Sequence, residues 1–227
     1  VLRGTMDVEN FDVGALLALG NQKEDRVGGS ITSHIWVGGT RDNPSLGVTG
    51  EIAAGTVAGY PVTDAALDVS LSNHVLTIDR LTGKQGDGSF SATGTVDFNG
   101  MMDVDVTAND IALGLYTGLA GVDEPVSGTA SVTAHVGGTA HRPVADVSLS
   151  AKNGGVRGGT FDALAGEIQV RGRVVRVNQL TVHKYVDGTD YTARVHGTLP
   201  LHALTADADE ELSAAEQIDL TLSLDHA

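Results

Sequence analysis

The sequence predicts an all-β protein assembled from a repeated module, and three observations lead there. Apolar and polar residues alternate with period two along many short runs, the mark of strands with one buried and one solvated face. Turn residues punctuate those runs about every ten residues, a spacing typical of antiparallel sheets. The pattern also recurs: Val136-Gly137-Gly138-Thr139 restates Val37-Gly38-Gly39-Thr40 at a spacing of 99 residues. Pro143, Gly154, Gly158, Val174 and Leu180 answer Pro44, Gly55, Gly59, Val75 and Leu81 at the same offset. The offset then drifts, so that Gly188 answers Gly88 and Gly197-Thr198 answers Gly94-Thr95. A unit of this size exceeds a helical-pair repeat and carries strands instead. The expected division is residues 1–26 as the end of a preceding copy, 27–125 as one module and 126–227 as the next, within a longer protein.

Each element follows from local chemistry. Thr5 to Val8 read as a strand end, and Val8, Asp12 and Val13 match Val106, Asp110 and Ile111 at a spacing of 98. Asp12 is placed to N-cap a short helix at about residues 13–19, whose apolar residues crowd at helical spacing. Ile31, Ile35 and Val37 alternate with Thr32, His34 and Trp36, and Arg41-Asp42-Asn43-Pro44 is turn chemistry. Leu67, Val69 and Leu71 alternate with Asp68 and Ser70, Asn73 turns the chain, and Gly83 to Gly88 turns it again. Phe90 to Phe98 and Met102 to Val106 flank Asn99-Gly100, a strong hairpin signal. Asn109 to Leu119 reads as a second short helix, and Glu124-Pro125 as a seam. The second module repeats the strands, interrupted by an acidic insertion at Thr205 to Gln217 with a helical turn over its second half. Ile218, Leu220, Leu222 and Leu224 close it.

Period-two spacing places Leu67, Val69, Leu71, Phe90, Val104, Val106, Val132, Val147, Leu149, Ile168, Val170, Tyr191, Val195, Leu220 and Leu222 on one concave face. The intervening Asp68, Thr93, Asp105 and Asp219 should face water. A second sheet, a closed barrel or an open trough could each accommodate such a face. Aromatics make up only 4% of the chain, few for filling the centre of a sandwich.

The charge balance narrows the partners. Acidic residues outnumber basic ones by 29 to 14, for a net charge of −15, which opposes binding to a phosphate backbone. No nucleic-acid partner is expected. Cysteine is absent, so there is neither a disulfide framework nor a thiolate metal site. No run of about 18 apolar residues offers a membrane-spanning helix. The eight histidines are scattered and include no pair two residues apart on one strand, so no metal site is expected. Asp103 and Asp105 share a strand face, an arrangement capable of acid–base chemistry but far commoner as a solvated surface. Gly86-Asp87-Gly88 lacks the tandem copies a calcium nonapeptide requires and reads as a turn. No phosphate loop, nucleophile elbow or His-Glu-x-x-His motif occurs, so neither an enzyme nor a cofactor is expected.

The order of signals is similar to one family. Asp110-Ile111, Val126-Ser127-Gly128-Thr129, Val136-Gly137-Gly138-Thr139, Pro143 and Gly197-Thr198 resemble the repeat of the AsmA-like superfamily, above all its translocation and assembly module branch. The earlier copy carries Asp12-Val13, Gly29-Ser30, Val37-Gly38-Gly39-Thr40, Pro44 and Gly94-Thr95. The acidic insertion departs from that pattern. The resemblance implies an elongated, curved, mostly antiparallel sheet forming an open trough, a β-taco, with short helices between modules and an apolar inside. It implies a periplasmic protein anchored in the inner membrane through parts outside this chain. Its role would be to carry phospholipid toward the outer membrane, with an outer-membrane β-barrel assembly protein as partner. The fifteen apolar residues above would then line a lipid groove, and no catalytic residues are implied. A stalk or surface adhesin of repeated β-sandwiches, binding through its loops, is the alternative.

Overall fold

The computed structural model describes residues 2–12, 27–41, 43–119, 126–139, 141–156, 158–201 and 217–226. The helices expected at about 13–19 and within the acidic insertion lie almost wholly outside these residues. Thirteen strands are described. The first seven are β1 (Gly4–Asp12), β2 (Val27–Gly39), β3 (Pro44–Val57), β4 (Tyr60–Ser72), β5 (Val75–Gln85), β6 (Gly88–Asp97) and β7 (Met101–Ala112). A short helix, α1 (Leu113–Leu119), follows. The rest are β8 (Val126–Thr139), β9 (Arg142–Val156), β10 (Gly159–Arg171), β11 (Val174–Val186), β12 (Thr189–Pro200) and β13 (Asp219–His226). They form one antiparallel sheet in strict sequence order, and β1 and β13 do not pair with each other, so the sheet is an open trough.

Hairpin turns set this meander. Ala58-Gly59, Asn73-His74 and Asp187-Gly188 each join strands paired on both sides of them, and both residues of each pair have positive φ. That geometry matches the right-handed twist of the flanking strands, and it suits the Gly, Asn and Asp found there.

The internal repeat is visible in the hydrogen bonds. The Asn43 amide donates to Thr40 Oγ1 at 3.1 Å, and the Arg142 amide donates to Thr139 Oγ1 at 3.1 Å. Gly39 pairs with Pro44 as Gly138 pairs with Pro143. The ladder shifts register between Ile78 and Leu81, and again between Val177 and Leu180. Opposite these bulges lie Gly94 at φ 140° and Gly197 at φ 142°, conformations an L side chain resists. A Cβ on either would run into the neighbouring strand's backbone, at Asp103 and Asp219 respectively.

Two local expectations change. Asn109 to Ala112 are not helical; they continue β7, with Ile111 opposite Ala130 and Ala112 opposite Thr129. Asp110 sits at φ 50° in a bulge, a conformation incompatible with a helical turn, so α1 begins only at Leu113. The N-terminal match also moves by two residues. Asn10 has φ 51° and its amide donates to Thr32 Oγ1, while the Asp110 amide donates to Ser131 Oγ. The equivalent positions are therefore Asn10 and Asp110, 100 residues apart. Asn and Asp both tolerate positive φ, so an Asp-to-Asp sequence match misses the pair.

Large side chains are seldom buried. Ile111 and Val175 are each 1% exposed. Ile111, Ala108 and Leu115 form a small core, with Val57, Ala58, Tyr60, Phe90 and Tyr116 packed around it. That core sits where α1 folds back over the sheet.

Candidate functional site: an open apolar face

Residues opposite each other in a sheet point to the same side, so register decides which residues share a face. Val69 lies opposite Ile78, Ile78 opposite Gly94, Gly94 opposite Val104, and Val104 opposite Val136. A second row runs from Leu67 through Leu81, Ala92, Val106, Ala134, Val147, Ile168, Val177 and Gly197 to Leu220. A third runs from Phe90 through Ala108, Val132, Leu149, Gly166, Leu180 and Val195 to Leu222. Leu71 stands two residues beyond Val69, Val170 two beyond Ile168, and Tyr191 four before Val195. All fifteen residues thus project from one side. Asp105 pairs with Thr93 and His135, Asp219 with Thr198, and Asp68 with Thr49, on the other side.

The apolar side is the inside of the bend. In a flat sheet β3 and β7 would lie about 19 Å apart, four strand spacings. Yet Val57, Ala58 and Tyr60 pack against the Ile111–Leu115 cluster. Tyr60 lies directly on Gly114 of α1, where a Cβ would collide with its hydroxyl. On the other flank the Tyr116 hydroxyl donates to the Ala130 carbonyl of β8, and burial pushes this phenol's pKa up. The Ala112 amide is held by Gln85 Oε1 at 2.8 Å. α1 therefore bridges from β4 to β8 across the face. Beneath it lies a cavity of about 500 Å³, lined by Val62, Leu67, Leu81, Phe90, Val106, Leu115 and other apolar groups.

Elsewhere the face is only partly covered, with Ala145, Val175 and Val177 buried on it. None of the fifteen residues is buried; Tyr191, Leu220 and Leu222 are exposed, Leu222 at 61%. A closed core would bury them, and no second sheet is present among the described residues to do so. Where β11 ends and β12 begins, the greasy rows end in polar groups on the same side: Lys184 opposite Tyr191, and Tyr191 opposite His226. Lys184 Nζ donates to Asp162 at 3.1 Å. The Tyr185 amide and Lys184 hold the Asp162 carboxyl below its ordinary pKa.

Charge is concentrated on the outer, convex side. His34 meets Asp7, and Arg171 forks onto Asp146 with bonds of 2.7 and 3.0 Å. His135 Nδ1 lies 2.9 Å from Asp105 and 3.8 Å from Asp103. The Asp105 hydrogen bond, with Asp103 and Asp146 adding to it, raises the His135 pKa above the ordinary imidazole value. These three groups converge closely enough to share an ion, but all are exposed on the solvated face. Sequence reading treats Asp103 and Asp105 as a pair and misses His135, because only the β7–β8 register brings it there.

None of the described helices is long and apolar enough to cross a membrane. No protein-family model, characterised protein or solved structure matches this chain.

Proposed function

We propose that this chain is a segment of a lipid conduit, in which phospholipid acyl chains travel along the apolar inside of the trough. The observation that carries it is the apolar stripe across the sheet, partly accessible along most of its length and exposed on β12 and β13, where a core would be sealed. An acyl chain leaving a bilayer loses about 0.8 kcal/mol per methylene exposed to water, and a greasy groove removes most of that cost. The rim supports the same reading. Lys184, Asp162, Tyr191 and His226 give a headgroup polar company beside the leucines of β13. Acyl chains would lie inward and headgroups toward solvent. The resemblance to the AsmA-like superfamily, and to TamB-like proteins within it, supplies the rest of the proposal. The setting is the periplasm, the full-length protein is anchored to the inner membrane, and a β-barrel assembly protein at the outer membrane is its partner. Transport of this kind needs no catalytic residue and no cofactor.

The test is site-specific photocrosslinking in cells. A probe at Leu222, inside the trough, should capture phospholipid, and one at Thr221, which faces outward beside His196, should not. Equal capture at both positions, or capture at neither, would overturn the proposal.

A further inference from the structure

The inside of the trough is not uniform. Most of it is open, but under α1 it becomes a pocket with walls on several sides. Val62 and Leu67 of β4, Phe90 of β6 and Val106 of β7 supply the floor and flanks, and Leu115 and Tyr116 supply the roof. The roof is pinned at three points: Gln85 to the Ala112 amide, Tyr116 to the Ala130 carbonyl, and Tyr60 packed on Gly114. No charged side chain lines this cavity among the described residues, so nothing in it recognises a headgroup. Its volume is about 500 Å³. An apolar cavity of about 150 Å³ holds one benzene ring, six carbons, so on that scale this one holds about twenty. Twenty carbons is one acyl chain of common length; a two-chain lipid needs twice the space.

We infer that the cavity under α1 is a discrete binding site for a single long alkyl chain, distinct in capacity from the open trough around it. The inference rests on the conduit proposal only for its biological setting; the site itself follows from the cavity and its roof. A lysophospholipid, or one leg of a diacyl lipid whose other leg lies along the open face, has the required chemistry. The polar end of either stays outside.

A chain-length series on the purified protein tests this. Single-chain lysophosphatidylcholines of increasing acyl length are titrated below their micelle concentrations, with alkyl maltosides as a second headgroup. Each added methylene should tighten binding about fourfold while it is buried. The gain should stop once the cavity is full, at one chain per protein and at the same length for both headgroups. Ala92→Phe fills part of the cavity and should bring the plateau to shorter chains. Leu115→Ala enlarges it and should move the plateau to longer ones. Affinity that keeps rising through the longest chains, several chains bound at once, or a plateau that neither substitution moves would overturn the inference. The two proposals fail separately. A plateau without crosslinking at Leu222 removes the conduit and supports the pocket, and crosslinking without a plateau removes the pocket alone.

Discussion

If the trough is open in solution, equal truncations should have unequal costs along it. Ile111→Ala and Leu222→Ala each remove three carbons from the apolar side. At Ile111, which is 1% exposed, the transfer term is about 2.4 kcal/mol, at about 0.8 per carbon. The void adds to this, for an expected loss of about 3 kcal/mol, within the range for buried aliphatic truncations. Leu222 is 61% exposed, so only about two-fifths of the same transfer term is at stake. No cavity is left behind, because the space above it is already solvent. About 1 kcal/mol is expected there. The difference, about 2 kcal/mol, is roughly a thirtyfold change in the folding equilibrium. Urea denaturation followed by far-UV circular dichroism measures both, provided the denaturant slope is unchanged between variants. Equal losses at the two positions would refute the reasoning, because they would mean that Leu222 is as sealed as Ile111.

Further outcomes follow from the same geometry. Leu222→Asp should leave the fold intact, since an open groove lets the carboxylate keep its water, yet it should block acyl-chain capture; a variant that unfolds would favour a closed core. Gly94→Ala and Gly197→Ala should each destabilise by about 1–3 kcal/mol, since both glycines hold φ near 140°; urea midpoints unchanged from wild type would contradict the strain. The His135 imidazole should titrate above its ordinary value by NMR and fall back in Asp105→Asn. Because its folded pKa is raised, its contribution to stability is present below the unfolded imidazole pKa and fades as pH rises through the folded one. Asp162 behaves oppositely: its folded pKa is lowered, so its contribution is present above the unfolded carboxylate pKa and fades as pH falls through the folded one.

The sidedness of the sheet was legible in the residues themselves. Period-two alternation placed Leu67, Val147 and Leu220 on one side, and the ladder joins them in a single row. Local spacing sufficed because each bulge occurs where Gly or Asn/Asp interrupts the alternation, as at Gly94 and Asp110. The start of α1 was not legible. Asn109-Asp110 resembles a helix cap, and only pairing with β8 shows that the chain is still extended there. Nor did any sequence signal reveal that α1 roofs a cavity. Tyr60 of β4, Gln85 of β5 and the Ala130 carbonyl of β8 hold α1 and the residue before it from three separate strands, and their convergence depends on the fold of the whole sheet. The His135–Asp105 contact was hidden for the same reason, its partners standing 30 positions apart in the chain.

Strict sequence-order pairing makes groove length a counted quantity. Each strand is hydrogen-bonded only to its predecessor and successor, so twelve inter-strand steps of about 4.8 Å give roughly 58 Å measured along the curved contour of the sheet. Inserting or deleting one hairpin would change that length by about 10 Å and leave every other pairing intact. A single added strand would reverse the chain's direction, so such changes come in even numbers. Evolution can therefore adjust the reach of this architecture in paired increments, much as links are added to a chain, without redesigning the surface that runs along it.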